Sequence, residues 1–214
     1  MVTTRPEIAF AVNQVSRFCQ DPGPLHWESV KRILSYLAGT INYGLRFCDG
    51  PNSGTLVAFS DSDYAGDQET RRSTSGSVFM FNNGPVAWGS KQQHCVTLST
   101  AEAEYVAACE AAKETIWLRR LLHDINFTQR APTPLLCDNQ STIKLVYNPE
   151  LHQRTKHIQI RLHFIREKQV EGEINVSYVD TSHQLADIFT KPLDCAKFET
   201  CSKAIGVEDL PIVD

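Results

Sequence analysis

The sequence predicts a mixed α/β domain preceded by a small helical segment. Three observations point there. The centre of the chain reads as a strand, a hairpin, and then alternating helices and strands, the order of a sheet flanked by helices. Between Thr100 and His123, alanine and leucine recur at helical spacing on one face. Carboxylates at Asp61, Glu104, Asp138 and Asp187 each stand at the edge of an apolar strand or helix.

The elements follow in order. Pro6 suits an early helical position, with Ile8, Val12, Val15 and Phe18 behind it at helical spacing. Asp21-Pro22-Gly23-Pro24 interrupts the chain. A second helix sets Trp27, Val30, Ile33, Leu34 and Leu37 opposite Lys31 and Arg32, and Gly39 marks its end. Tyr43 to Cys48 reads as a short strand, and Asp49 to Gly54 as a turn or linker. Leu56 to Ser60 is an apolar strand running into acid. Gly76 to Phe81 and Pro85 to Gly89 flank Asn82-Asn83-Gly84, a hairpin signal. After the long helix come a buried-type strand at Leu135 to Cys137 and a short helix to Tyr147. A helix from Thr155 to Val170 is ended by Gly172, and a strand runs from Ile174 to Val179. Further helices are expected at Gln184 to Thr190 and Ala196 to Ala204.

Composition narrows the function classes. Of 214 residues, 42% are hydrophobic and 21% charged, which excludes a disordered tail. A net charge of −4 argues against a generic basic nucleic-acid clamp, although local basic patches can still grip phosphates. The seven cysteines include no Cys-x-x-Cys pair, so we read them as reduced, mostly buried thiols. Trp88 and Trp117 are expected in the core. No apolar run reaches the roughly 18 residues of a membrane span, and no signal-peptide pattern opens the chain. No membrane partner is expected, and an intracellular location is.

Carboxylates that converge in space make a site of hard oxygen ligands, suited to magnesium or manganese. Asp61 shares a strand face with Val57 and Phe59 by period-two alternation; a turn role is the alternative. Ser99-Thr100-Ala101-Glu102 reads as a capping box, which gives Glu102 a structural task. Glu104 lies about 200° further round that helix. It falls on the face of Ala107, Ala108, Ala111, Ala112, Thr115, Leu118 and Leu122, whereas Glu102 falls near Lys113 and Arg120. A carboxylate on an alanine-lined face needs a partner, because burying an unpaired charge is costly. Asp138 follows Leu135-Leu136-Cys137 at a strand-to-helix turn, where capping is the alternative role. Asp187 stands within the apolar run Leu185-Ala186-Asp187-Ile188-Phe189. Two carboxylates roughly 5 Å apart repel by about 3 kcal/mol at an effective dielectric of about 20, so several together require cations. Two metal ions could clamp a scissile phosphate with no side-chain nucleophile, and no Gly-x-Ser-x-Gly elbow is present.

The ordered acids and their flanking words resemble the ribonuclease H domain of Ty/copia-type retrotransposon Pol polyproteins. The words are Phe59-Ser60-Asp61-Ser62-Asp63, Arg71-Arg72-Ser73-Thr74-Ser75-Gly76, Trp88-Gly89-Ser90-Lys91-Gln92-Gln93, Ser99 to Tyr105, Cys137-Asp138-Asn139-Gln140, Arg154-Thr155-Lys156-His157-Ile158, and Ala186-Asp187-Ile188-Phe189-Thr190-Lys191-Pro192-Leu193. Before residue 50, His26-Trp27-Glu28 and Lys31 to Leu37 resemble the end of the adjoining reverse transcriptase region. No Tyr-x-Asp-Asp occurs, so the polymerase core is missing from this sequence.

The resemblance implies a ribonuclease H-like five-stranded mixed sheet with helices on both faces, preceded by a small helical appendage. It divides the chain into a reverse transcriptase remnant at residues 1–50, the ribonuclease H-like domain at 55–193, and a C-terminal helix and tail at 194–214. It assigns Asp61, Glu104, Asp138 and Asp187 as catalytic acids holding two Mg2+ ions, replaceable by Mn2+. The substrate implied is an RNA–DNA hybrid cut on its RNA strand during reverse transcription. The implied partner is the reverse transcriptase portion of the same polyprotein, and the implied location the cytoplasm, a virus-like particle or the nucleus. Arg71, Arg72, Ser73, Thr74, Lys91, Gln92 and Gln140 are candidates for nucleic-acid contact; a solvated turn is the alternative for the arginines. His183 is a candidate proton shuttle or else an exposed loop histidine. The competing reading is a non-catalytic nucleic-acid-binding or interaction remnant.

Overall fold

The computed structural model describes residues 1, 3–50, 53–147 and 156–210, with side chains left aside at 156–162. The central sheet is built from β2 (Val57–Asp63), β3 (Thr74–Phe81), β4 (Gly84–Gln92), β5 (Thr133–Cys137) and β6 (Ile174–Tyr178) in the order β4-β3-β2-β5-β6. β2, β3 and β4 pair antiparallel, while β5 runs parallel to β2 and to β6. This is the expected mixed sheet. The β3–β4 turn forms because Asn82 and Asn83 both adopt positive φ, 51° and 56°, as a tight twisted hairpin demands.

Alternation along the strands splits the core in two. Ala58, Phe79, Leu135 and Cys137 face α3 (Thr100–Asp124), α4 (Gln140–Tyr147) and α5 (Lys156–Val170). Val57, Phe59, Val78 and Met80 face the opposite layer. That layer contains α1 (Ala9–Ser16), a 3-10 turn at Leu185–Phe189 and α6 (Cys195–Ala204). The alanines of α3 are buried, so the helix lies close on β2. Thr155, the expected start of α5, and the His157 side chain lie outside the described residues, as do Pro51, Asn52 and residues 211–214.

The first fifty residues are tied to the sheet and to the C-terminal end. β1 (Tyr43–Leu45) pairs antiparallel with β7 (Val207–Asp209), forming a second, two-stranded sheet. Arg17, just past α1, binds Asp67 at 2.8 Å, and the Asn13 amide donates to the Ser90 carbonyl. A short 3-10 turn at Pro6–Ile8 precedes α1. α2 (Pro24–Gly39) buries no residue, and Leu25, Trp27 and Leu34 are exposed. Its inner side packs on α1 and, through Tyr36, edge-on against Phe198, and it walls a groove shared with α1 and the segment 188–198.

Three expectations need correction. Trp117 is 54% exposed, on the outward side of α3, and Trp88 is half-buried, its indole N–H donating to the Met1 carbonyl at 2.9 Å. Trp117 is thus not a core residue, whereas Trp88 packs against the core layer of Val78 and Phe189 without being fully buried. Only Cys109, Cys137 and Cys201 are buried; Cys19, Cys48, Cys95 and Cys195 are exposed, and all seven are free thiols. The stretch expected as a helix at Gln184 to Thr190 is a short 3-10 helix at Leu185–Phe189, capped by Gln184, whose Oε1 accepts the Ala186 N–H at 3.2 Å. No helix among the described residues is long and apolar enough to cross a membrane.

Candidate metal centre

The parallel register brings two acids level. Phe59 lies opposite Leu136, so two residues further on both strands Asp61 stands beside Asp138, just past β5. Glu104, in the first turns of α3, reaches the same edge. The Ser62 N–H donates to Glu104 Oε1 at 3.3 Å. One oxygen from each of Asp61, Glu104 and Asp138 lies within 4.8 Å of the others.

Each acid is oriented by a neighbour. The Thr190 hydroxyl donates to Asp61 Oδ2 and also to the Asp187 carbonyl, the latter at 3.1 Å. The Thr181 hydroxyl donates to Asp138 Oδ2 at 2.8 Å. Buried Gln184 donates to the Ser60 carbonyl at 3.0 Å, anchoring the 185–189 turn to β2. Gly76, opposite Asp61 on β3, makes that approach possible. A methyl group there would lie 2.5 Å from Thr190 Cγ2 and 2.8 Å from the Ala186 carbonyl oxygen.

The electrostatics are those of a site short of cations. Burial, with Asp61 and Asp138 nearby, pushes Glu104 up to about 10. Glu104 is only 7% exposed, and among the described residues no N–H donor reaches its Oε2. Burial also raises Asp61, to about 6, with Lys191 pulling it down and Asp187 pushing it up. Asp187 sits beside Asp61 but outside the group of three. Burial disfavours its charge, yet Lys191 and Lys197 outweigh that and hold its carboxyl below the usual range. The three converging acids fit a hard divalent cation: they offer only oxygen, from buried or half-buried side chains, and Glu104 Oε2 meets no N–H donor among the described residues.

The helical wheel separates the two glutamates as expected. Glu102 Oε2 accepts the Leu98 N–H at 2.7 Å, and Ser99 Oγ accepts the Glu102 N–H at 3.2 Å. Glu102 thus caps α3 and leaves the centre to Glu104.

The other candidates are dispersed. Arg71 and Lys91 are exposed, and Gln140 is exposed at the start of α4. Arg72 is partly exposed, and Gln92 donates to Asp67 Oδ2 at 2.9 Å. Ser73 and Thr74 are buried, with hydroxyls engaged by the Ala65 N–H, Thr97 and Arg17. His183 is exposed, and its ring meets Ser182 at 3.1 Å. Sequence reasoning missed Thr190, Lys191, Lys197 and Gln184 as parts of the centre. The spacing of Lys191, four residues after Asp187, was the available signal for one of them.

Over 207 residues, 97% of its length, the chain is 45% identical to the Retrovirus-related Pol polyprotein from transposon TNT 1-94 of Nicotiana tabacum. It is 40% identical over 208 residues to that of transposon RE1 of Arabidopsis thaliana. The chain belongs to the Ty/copia-type Pol polyproteins. This Pol segment spans 15% and 14% of those two relatives. It is also 51% identical, over 55% of its length and 82% of the relative's, to Secreted RxLR effector protein 161 of Plasmopara viticola. No protein-family model matches the segment. Among solved structures it is similar to LC11-RNase H1 isolated from compost, with a TM-score of 0.50 at 13% identity, over 64% of this chain and 93% of that one. At that identity the likeness speaks for the fold alone: the segment has a ribonuclease H-like fold.

Proposed function

We propose that this Pol segment is a metal-dependent endonuclease that hydrolyses the RNA strand of RNA–DNA hybrids. The observation that carries the reading is the convergence of Asp61, Glu104 and Asp138 within 4.8 Å, with Glu104 Oε2 buried and reached by no N–H donor among the described residues. These residues would hold Mg2+ or Mn2+, which supplies an activated water and neutralises charge at the scissile phosphate. The protein's own part is positional. Thr190 orients Asp61, the Ser62 N–H orients Glu104, and Thr181 orients Asp138. Exposed Arg71, Lys91 and Gln140, with Arg72 and Gln92, are the side chains available to grip the hybrid backbone. Selectivity would come from reading 2′-hydroxyls on one strand and deoxyribose shape on the other. The partner proposed for residues 1–50 is the polymerase portion of the same polyprotein, to which the exposed face of α2 is open.

A labelled RNA–DNA hybrid tests the reading. Cleavage should need magnesium or manganese, leave a 3′-hydroxyl and a 5′-phosphate, and disappear in Asp61→Asn. RNA duplex and DNA duplex should stay intact. A second reading is binding without catalysis. Wild-type protein that binds the hybrid but never cuts it with either metal would decide for that reading.

A further inference from the structure

The acids at the edge of β2 are answered by two lysines that follow Asp187 in the chain. The Lys191 ammonium stands between two carboxylates, 2.6 Å from Asp187 Oδ1 and 3.6 Å from Asp61 Oδ2. At that distance charge and a hydrogen bond together hold the ammonium on Asp187. Lys197 takes the other oxygen, Oδ2.

The geometry points to Lys191 as a resident cation that fills the Asp61–Asp187 position in the free protein, leaving a single divalent-ion site at Asp61, Glu104 and Asp138. This rests on the metal-dependent reading above and changes its stoichiometry. A divalent ion bridging Asp61 and Asp187 would need their oxygens at roughly 2.0–2.5 Å. The ammonium already occupies the space between those oxygens. The arrangement is also reversible. The Asp187 side chain is fully buried, whereas that of Lys191 is 37% exposed. Lysine is a compact charge on a flexible stem. Lys191 also lines the groove of about 460 Å³ between α1, α2 and residues 188–198, which gives its side chain room to withdraw. Lys191 is therefore a positioning residue: it balances Asp61 and Asp187 until a second cation or a bound backbone takes its place.

Counting bound Mn2+ by electron paramagnetic resonance, with no substrate present, tests this apart from activity. Wild-type protein should take up one ion per chain. Lys191→Met should take up two, and Lys191→Arg, which keeps the charge, one. Circular dichroism checks that each variant is folded. Two ions in the wild type, or one in folded Lys191→Met, overturns the role of Lys191 and leaves the metal centre standing. If Lys191→Met does not fold, the wild-type count still decides, since two ions with the lysine present refutes the inference. No bound ion in the wild type refutes the metal-dependent reading itself.

Discussion

Glu104→Gln should stabilise the metal-free protein, and by an amount that depends on pH. Glu104 is buried and shares its space with Asp61 and Asp138, each contributing an oxygen within 4.8 Å. At that separation two full charges repel by about 3 kcal/mol at an effective dielectric of about 20. The protein avoids this by keeping Glu104 protonated, with its titration moved from 4.5 to about 10. A carboxyl raised on folding contributes fully below its unfolded value, and the contribution is lost as pH rises towards the folded one. The window is therefore pH 4.5 to 10. At pH 7 the wild type has lost up to about 3 kcal/mol, at about 1.4 kcal/mol per pH unit. Glutamine carries no charge and escapes that loss. Urea denaturation in EDTA should give near-equal midpoints for the two proteins at pH 4. At pH 7 and above, Glu104→Gln should be the more stable, and magnesium should raise the midpoint of the wild type alone. A stability difference that does not change between pH 4 and pH 8 would refute the reasoning.

Three further outcomes follow from named contacts. Gly76→Ala should cost about 1–3 kcal/mol by overpacking, because its methyl would meet Thr190 and the Ala186 carbonyl; thermal melts and Mn2+ affinity should fall together, and an unchanged melt would show that the 185–189 turn can retreat freely. Glu102→Gln should lose about 1 kcal/mol or less of capping energy and leave hybrid cleavage intact, whereas Glu104→Gln abolishes it; equal loss of cleavage in both would contradict the separation on α3. Limited proteolysis should nick the chain near Asp49 to Gly54, yet the two pieces should elute together on gel filtration. The β1–β7 pairing and the Arg17–Asp67 ion pair hold them; release of the N-terminal piece would mean that those contacts are too weak to hold it.

Local physics made much of this protein legible in one dimension. Two consecutive asparagines with positive φ are what a tight hairpin requires, and the β3–β4 turn forms there. The wheel of α3 separated Glu104 from Glu102, because a helix repeats its faces every three or four residues and alanines mark the side that lies on the sheet. Asp138 was readable as a strand-end acid after the apolar run to Cys137, whereas β2 continues past Asp61 to Asp63. Trp117 was in fact readable: it lies about 140° from Glu104 on the α3 wheel, on the outward side, and it is exposed there. What pattern could not supply was the balance of long-range contacts. Tyr43–Leu45 finds its partner at Val207–Asp209, a pairing that no local signal specifies. Asp187 looked like its three fellow acids in sequence. The folded chain gave it two lysines instead of a place in the group of three, because the turn after it carries Lys191 and Lys197 back over the same carboxylate. Sequence patterns thus determined which acids reach the edge of the sheet, and the tertiary structure decided which cation each one meets, since charge pairing depends on distance through space and not along the chain.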